Sequence, residues 1–96
     1  MSAKSTVKPR IHGVNLDSAL GDWRVIAHNN DTTRYDDVVR VLMTACQYDQ
    51  RTAEGYTRKI HLEGRCVVFW GNEEKCKAIC AALGHIGVKT DLERND

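Results

Sequence analysis

Hydrophobic and polar residues alternate first between Trp23 and His28, where one face has Trp23, Val25 and Ala27 and the other has Arg24, Ile26 and His28. Alternation with a period of two is typical of a β-strand. The preceding residues 1–21 contain the only proline and no sustained apolar period. We therefore predict a flexible N-terminal tail at 1–21 and one folded domain over residues 22–96.

The pattern changes after this strand to the spacing of an amphipathic helix, predicted from about Arg34 to Gln47. Thr33-Arg34-Tyr35-Asp36 looks like a capping box, in which the Asp36 side chain reaches back to the backbone N–H of the capping residue Thr33. The apolar positions of this helix are Tyr35, Val38, Val39, Leu42, Ala45 and Cys46.

A second helix is predicted between Asp49, a suitable N-cap, and Gly64, a suitable left-handed C-terminal residue. Its expected buried stripe is Ala53, Tyr56, Thr57, Ile60 and His61.

The last third of the chain contains the segment "CVVFW", which has the composition of a buried strand. Asn72 then opens a third helix that Gly84 ends. Its inner face is Cys76, Ile79, Cys80 and Leu83, and a last short strand has Val88, Thr90 and Leu92 in alternation. The order β-α-α-β-α-β predicts an α+β fold, a three-stranded antiparallel sheet with three helices packed on one side.

Composition and charge narrow the class of partner. The chain has 96 residues, of which 42% are hydrophobic and 28% charged, and its formal net charge is +1. Proteins that bind nucleic acid or anionic membranes usually carry a strong basic excess, so we expect neither partner. No apolar stretch is long enough to span a bilayer and no secretory signal is visible. We expect a cytoplasmic protein, or one of an organellar stroma if a transit peptide has been removed.

The four cysteines raise the question of a metal site. Cys76 and Cys80 share one helical face, with His85 just beyond, but a structural zinc site normally has C-x-x-C knuckles or a matching second pair. Cys46 and Cys66 stand apart in apolar stretches, as small buried hydrophobic side chains do. We expect free thiols, no metal and no cofactor. The alternative is a metal- or redox-responsive domain built on Cys76 and Cys80.

Signatures of catalysis are missing from the sequence. It has no G-x-S-x-G elbow, no glycine-rich phosphate loop and no paired glutamates at a useful spacing. We therefore expect a protein that is not an enzyme.

The polar turn after the first strand, Asn29-Asn30-Asp31, allows two interpretations. In the first, Asn29 and Asp31 form Asx-turns that help to begin the next helix. In the second, Asn29, Asp31 and His61 converge as three hydrogen-bond acceptors. Such a set suits an ammonium group, which has three donors and no acceptor. The residue pattern alone leaves both open.

Four segments of the chain resemble the ClpS family of Clp protease adaptors. They are "WRVIAHNNDTT", "VVRVL", Ile60-His61-x-x-Gly64 and "TDLE", and together they cover roughly Trp23 to Leu92. The resemblance implies the β-α-α-β-α-β core. It also implies an adaptor that binds the free N-terminus of polypeptides with a large hydrophobic first residue. Such adaptors deliver these polypeptides to an AAA+ Clp unfoldase of the ClpA or ClpC type.

The resemblance also implies the roles of individual residues. Asn29, Asp31 and His61 correspond to the family residues that hold the α-amino group. The side-chain pocket would be lined by Thr33, Tyr35, Val38, Thr57, Ile60 and Val88. Glu74 is the nearest match to an acidic residue, at the start of the third helix, that contacts the unfoldase.

The sequence departs from the family at three of these places. Asn30 replaces the middle Asp of the turn, Tyr35 replaces a pocket-gating Met, and Thr57 replaces a second pocket Met. A second hypothesis follows from them: a ClpS-like regulatory module that docks on a Clp ATPase or another partner with altered or lost specificity for N-degrons.

Overall fold

The structure, a computed structural model, describes residues 21–94. The predicted tail at 1–21 lies outside the described residues apart from Gly21. The elements follow the predicted order and are β1 (Trp23–His28), α1 (Tyr35–Ala45), α2 (Gln50–Glu63), β2 (Arg65–Gly71), α3 (Glu73–His85) and β3 (Thr90–Arg94).

The three strands form one antiparallel sheet in the order β2-β1-β3, with β1 in the centre. Val25 pairs with Phe69 on one side and with Leu92 on the other. The register with β2 shifts between Val25 and Ile26, which indicates a β-bulge. The predicted α+β fold with a three-stranded antiparallel sheet and three helices is confirmed.

The core lies on the face of the sheet that the helices cover. Val25 and Ala27 of β1 are fully buried in one cluster with Leu42 of α1, Ile60 of α2 and other residues of all three helices. Polar pairs lie on the opposite face, at alternate positions of β1. Arg24 forms an ion pair with Glu93 at 2.9 Å, and His28 Nε2 lies 2.7 Å from Asp91 Oδ2. The hydrogen bond from His28 lowers the pKa of Asp91.

Local capping signals predicted α2 and the start of α3 correctly. The Asp49 carboxylate accepts a hydrogen bond from the backbone N–H of Thr52, and Gly64 ends α2 in the left-handed region at φ 88°. The Asn72 side chain accepts from the backbone N–H of Lys75 at the start of α3. Nothing in the structure explains Gly55, since a Cβ there would meet no atom of residues 21–94 within 4 Å.

The predicted capping box at the start of α1 is wrong. The N-cap is Arg34, which makes no side-chain capping bond, and the helix ends at Ala45, before Gln47. Thr33 is engaged elsewhere, because its hydroxyl donates to the carbonyl of Ile86 at 2.8 Å. A contact with a distant turn has therefore replaced the local cap.

The boundary between α3 and β3 also differs from the prediction. Gly84 lies within α3, which runs to His85, and the left-handed residue is Gly87 at φ 90°. Val88 precedes β3, and its backbone N–H donates to the carbonyl of Leu83 at 3.0 Å. Val88 is nevertheless buried at 4% exposure. It packs as part of the turn that follows α3.

All four cysteines are free thiols. Cys46 and Cys76 are buried, and burial raises the pKa of Cys46 to about 12. Within residues 21–94, no group of three or more His, Cys, Asp or Glu side chains is arranged to hold a metal ion. No helix in this part of the chain could span a lipid bilayer.

Candidate functional site

A cavity of about 460 Å³ opens where β1 ends. The turn after β1, the start of α1, the inner face of α2 and the turn before β3 surround it. Its lining residues are His28, Asn29, Asn30, Asp31, Thr33, Tyr35, Val38, Thr57, Ile60, His61 and Val88. The structure thus brings into one cavity all the residues that were expected to contact a ligand. It adds His28 and Asn30, which the sequence analysis did not assign to the site.

Backbone hydrogen bonds hold the end of β1 beside the C-terminus of α2. The N–H of Asn29 donates to the carbonyl of Gly64 at 2.8 Å, and the N–H of His28 donates to the carbonyl of Lys89 at 2.9 Å. Gly64 is the C-cap of α2, and His61 lies in the last turn of that helix. This arrangement explains how His61, far away in the sequence, reaches the same cavity as Asn29.

The cavity has a polar rim and an apolar floor. Asn29, Asp31 and His61 are exposed at the rim. The floor residues are Val38, Thr57, Ile60 and Val88, with exposures of 7%, 3%, 4% and 4%. A ligand with a charged end and an apolar body would fit this gradient. The prediction that His61 belongs to the buried stripe of α2 is wrong, since its side chain lies at the exposed edge of that stripe.

Asn30 forms the framework of the turn. Its Oδ1 accepts from the backbone N–H groups of Thr32 and Thr33, at 2.8 and 2.7 Å. Its Nδ2 donates to Thr33 Oγ1 at 3.1 Å and to the carbonyl of Gly87 at 2.9 Å. The Asx-turn is therefore formed by Asn30, and not by Asn29 or Asp31 as in the first of the two interpretations. Asn30 and Thr33 together bind the polar turn to the segment that leads to Val88.

The three proposed ligand-binding side chains on the rim, in contrast to that of Asn30, are not engaged within the described part of the protein. Within residues 21–94, the side chains of Asn29, Asp31 and His61 have no hydrogen bond or ion pair with another group of the protein. All three can accept a hydrogen bond, His61 in its neutral form. Three acceptors on one rim are therefore available to a ligand, while the residue between two of them holds the turn in shape.

Two side-chain hydroxyl groups, one from α1 and one from α2, donate hydrogen bonds to backbone carbonyls in the first half of α2. Thr57 Oγ1 donates to the carbonyl of Ala53 at 2.8 Å, and the Tyr35 hydroxyl donates to the carbonyl of Glu54 at 3.2 Å. Tyr35 is 41% exposed, so its ring crosses from the start of α1 to α2 near the surface. Tyr35 thus lines the cavity at the position where the family resemblance implies a pocket-gating Met.

Glu74 lies outside this cavity. It is exposed in the first turn of α3 and lines a second, more open groove together with Ala45, Asn72, Lys75, Ala78 and Ile79. A contact through Glu74 would therefore leave the first cavity open to another ligand.

The comparison with protein families identifies the class. The family model described as "ATP-dependent Clp protease adaptor protein ClpS" matches residues 20–89. Since this match covers most of the chain, the protein belongs to the ClpS family of Clp protease adaptors. No curated protein shows significant sequence similarity to the chain.

A solved structure has the same fold. The chain is similar to Agrobacterium tumefaciens ClpS2 bound to L-phenylalaninamide, with a TM-score of 0.70 and 17% sequence identity. The match covers 78% of this chain and 98% of that chain. At this identity the likeness establishes the fold, and the properties of the site have to be argued from its own residues.

Proposed function

We propose that this protein is an N-degron adaptor. It binds the free α-amino group and the bulky hydrophobic first residue of a polypeptide and delivers that polypeptide to an AAA+ Clp unfoldase of the ClpA or ClpC type. The observation that carries the proposal is the set of three acceptors at Asn29, Asp31 and His61, which have no side-chain partner within residues 21–94 and lie on the rim of a cavity with an apolar floor.

The α-amino group would donate one hydrogen bond to each of these three side chains. A hydrogen bond to or from a charged group contributes about 1.5–3 kcal/mol. Burial of a Phe or Leu side chain against Val38, Ile60 and Val88 adds about 1.5–3 kcal/mol. Part of this sum offsets the entropy lost on association, which leaves a complex in the micromolar range.

The same geometry gives selectivity for a chain end. An internal residue has one amide N–H where a terminal residue has an ammonium group with three donors. It would therefore leave acceptors of the rim unpaired and supply no positive charge to Asp31. ClpS2 of Agrobacterium tumefaciens, bound to L-phenylalaninamide, supports this assignment because that ligand has a free amino group and an aromatic side chain.

Delivery requires a second contact, which we assign to Glu74 in the first turn of α3. With a ClpA- or ClpC-type unfoldase and its peptidase, the adaptor is expected to accelerate degradation of a fluorescent protein that begins with Phe. A reporter that begins with Gly serves as the control. Glu74→Lys should abolish the acceleration and leave peptide binding unchanged, since Glu74 lines the second groove and not the cavity.

The second hypothesis, a regulatory module without N-degron specificity, is favoured by Asn30, Tyr35 and Thr57. It predicts that the protein changes the rate of the unfoldase equally for both reporters. Equal effects on the Phe and Gly reporters would contradict delivery and support regulation.

A further inference from the structure

The end of the cavity away from the polar rim is lined by Thr57 and Tyr35, and both hydroxyl groups already donate a hydrogen bond. The Thr57 hydroxyl donates to the backbone carbonyl of Ala53, and the Tyr35 hydroxyl donates to that of Glu54. What each hydroxyl retains is the accepting capacity of its oxygen. No other group within residues 21–94 donates to either oxygen. This end of the cavity can therefore accept a hydrogen bond but cannot offer one.

Thr57 differs from Tyr35 in its access to water. Thr57 is 3% exposed and is the one buried polar residue among residues 21–94, whereas Tyr35 is 41% exposed. Water can satisfy the oxygen of Tyr35. The oxygen of Thr57 is desolvated, and a desolvated acceptor gains more from a ligand that pairs with it.

The position of Thr57 along α2 sets the distance from the amino-group site. Thr57 precedes His61 by four residues, so the two lie on the same face, about 6 Å apart along the helix axis. A first residue whose amino group is held at His61 would extend its side chain along α2 towards Thr57. The far end of an aromatic ring is the part that would reach it.

We propose that the cavity selects tyrosine as the first residue, and that Thr57 determines this specificity by accepting a hydrogen bond from the phenolic hydroxyl. The inference rests on the proposed function, since it assumes that the α-amino group is held at the rim. It adds a preference between two aromatic residues that differ only in one hydroxyl.

Whether Tyr or Phe binds more tightly distinguishes an acceptor at Thr57 from a wholly apolar pocket. In a wholly apolar pocket a buried phenolic hydroxyl loses its water and finds no partner, so Phe binds more tightly than Tyr. With Thr57 as the acceptor, we expect Tyr to bind roughly threefold to tenfold more tightly than Phe, the effect of one hydrogen bond. Thr57→Val keeps the branched shape and removes the acceptor, so it should reverse the order.

The experiment measures the affinities of two peptides, identical except for Tyr or Phe at the first position, for the intact protein and its variants. The ratio of the two affinities is compared within each variant. A partial loss of folded protein lowers both affinities alike and leaves the ratio unchanged. Thr44→Val is the matched control, because Thr44 is an exposed helical residue outside the cavity.

A wild-type preference for Tyr that Thr57→Val reverses, and that Thr44→Val retains, supports the inference. A wild-type ratio at or below one overturns it, and so does a Tyr preference that survives Thr57→Val. A preference lost in Tyr35→Phe but retained in Thr57→Val overturns the role of Thr57. If both peptides bind equally, only this inference fails. If neither binds, the proposed function fails and the inference with it.

Discussion

Replacement of Asp31 by asparagine is expected to weaken the binding of a peptide with a free N-terminus by about tenfold. The substitution keeps the size of the side chain and one accepting oxygen but removes the charge. The ammonium group remains charged in the variant, so a hydrogen bond to asparagine persists, and what is lost is the attraction between two opposite charges, about 1–4 kcal/mol for a pair about 4 Å apart near a protein surface. A loss of about 1.4 kcal/mol, towards the lower end of that range because Asp31 is exposed, is a factor of ten in affinity. Fluorescence anisotropy of a labelled peptide beginning with Phe measures it directly.

Asp36→Asn is the matched control for this prediction. It removes the same charge from an exposed residue in the first turn of α1 that does not line the cavity. Both titrations should be made at the same ionic strength, because salt screens exposed charges. Equal losses of affinity in the two variants would mean that Asp31 acts only through the long-range field of the protein. That result would contradict a direct contact with the amino group.

Replacement of Asn30 by alanine is expected to damage both stability and binding. The substitution removes five hydrogen bonds: those from the N–H groups of Thr32 and Thr33 and from the Thr32 hydroxyl, and those to Thr33 Oγ1 and to the carbonyl of Gly87. Because several of these groups are reached by water in the variant, we expect a loss of about 1–3 kcal/mol of unfolding free energy. The turn that holds Asn29 and Asp31 would lose its shape, so peptide affinity should fall as well.

Asn72→Ala separates these two effects. Asn72 caps α3 through one hydrogen bond to the N–H of Lys75. Its removal should cost about 1 kcal/mol of stability without any effect on peptide affinity. Urea denaturation followed by the peptide titration tests both variants. If Asn30→Ala binds the peptide as tightly as Asn72→Ala does, the framework role of Asn30 is refuted.

Helices and strands were predictable where the signal is local. Asp49 and Gly64 bracket α2 because a carboxylate cap and a left-handed glycine satisfy backbone groups of the helix itself. The capping box at Thr33 failed for the opposite reason, since the Thr33 hydroxyl bonds to Ile86, 53 residues later. No local pattern records such a partner.

In the cavity, too, the residues with a local or family signal were predictable and those with distant partners were not. Asn29, Asp31 and His61 could be named because their chemistry suits an ammonium group and because the segments resemble a family. Asn30 was missed as part of the framework because its partner Gly87 is 57 residues away. His61 was assigned to the buried stripe, although it lies about 80° around the helix from Ala53 at 3.6 residues per turn. That offset places it on the rim, where a ligand can reach it.

The most direct test of the central claim, that the cavity holds the free end of a chain, compares two fluorescent peptides. Both begin with Phe and differ only in acetylation of the α-amino group. We expect the free amine to bind in the micromolar range and the acetylated peptide to bind at least about a hundredfold more weakly, because acetylation removes the charge and two of the three donors. Equal affinity for the two peptides, or binding of neither, would contradict the claim.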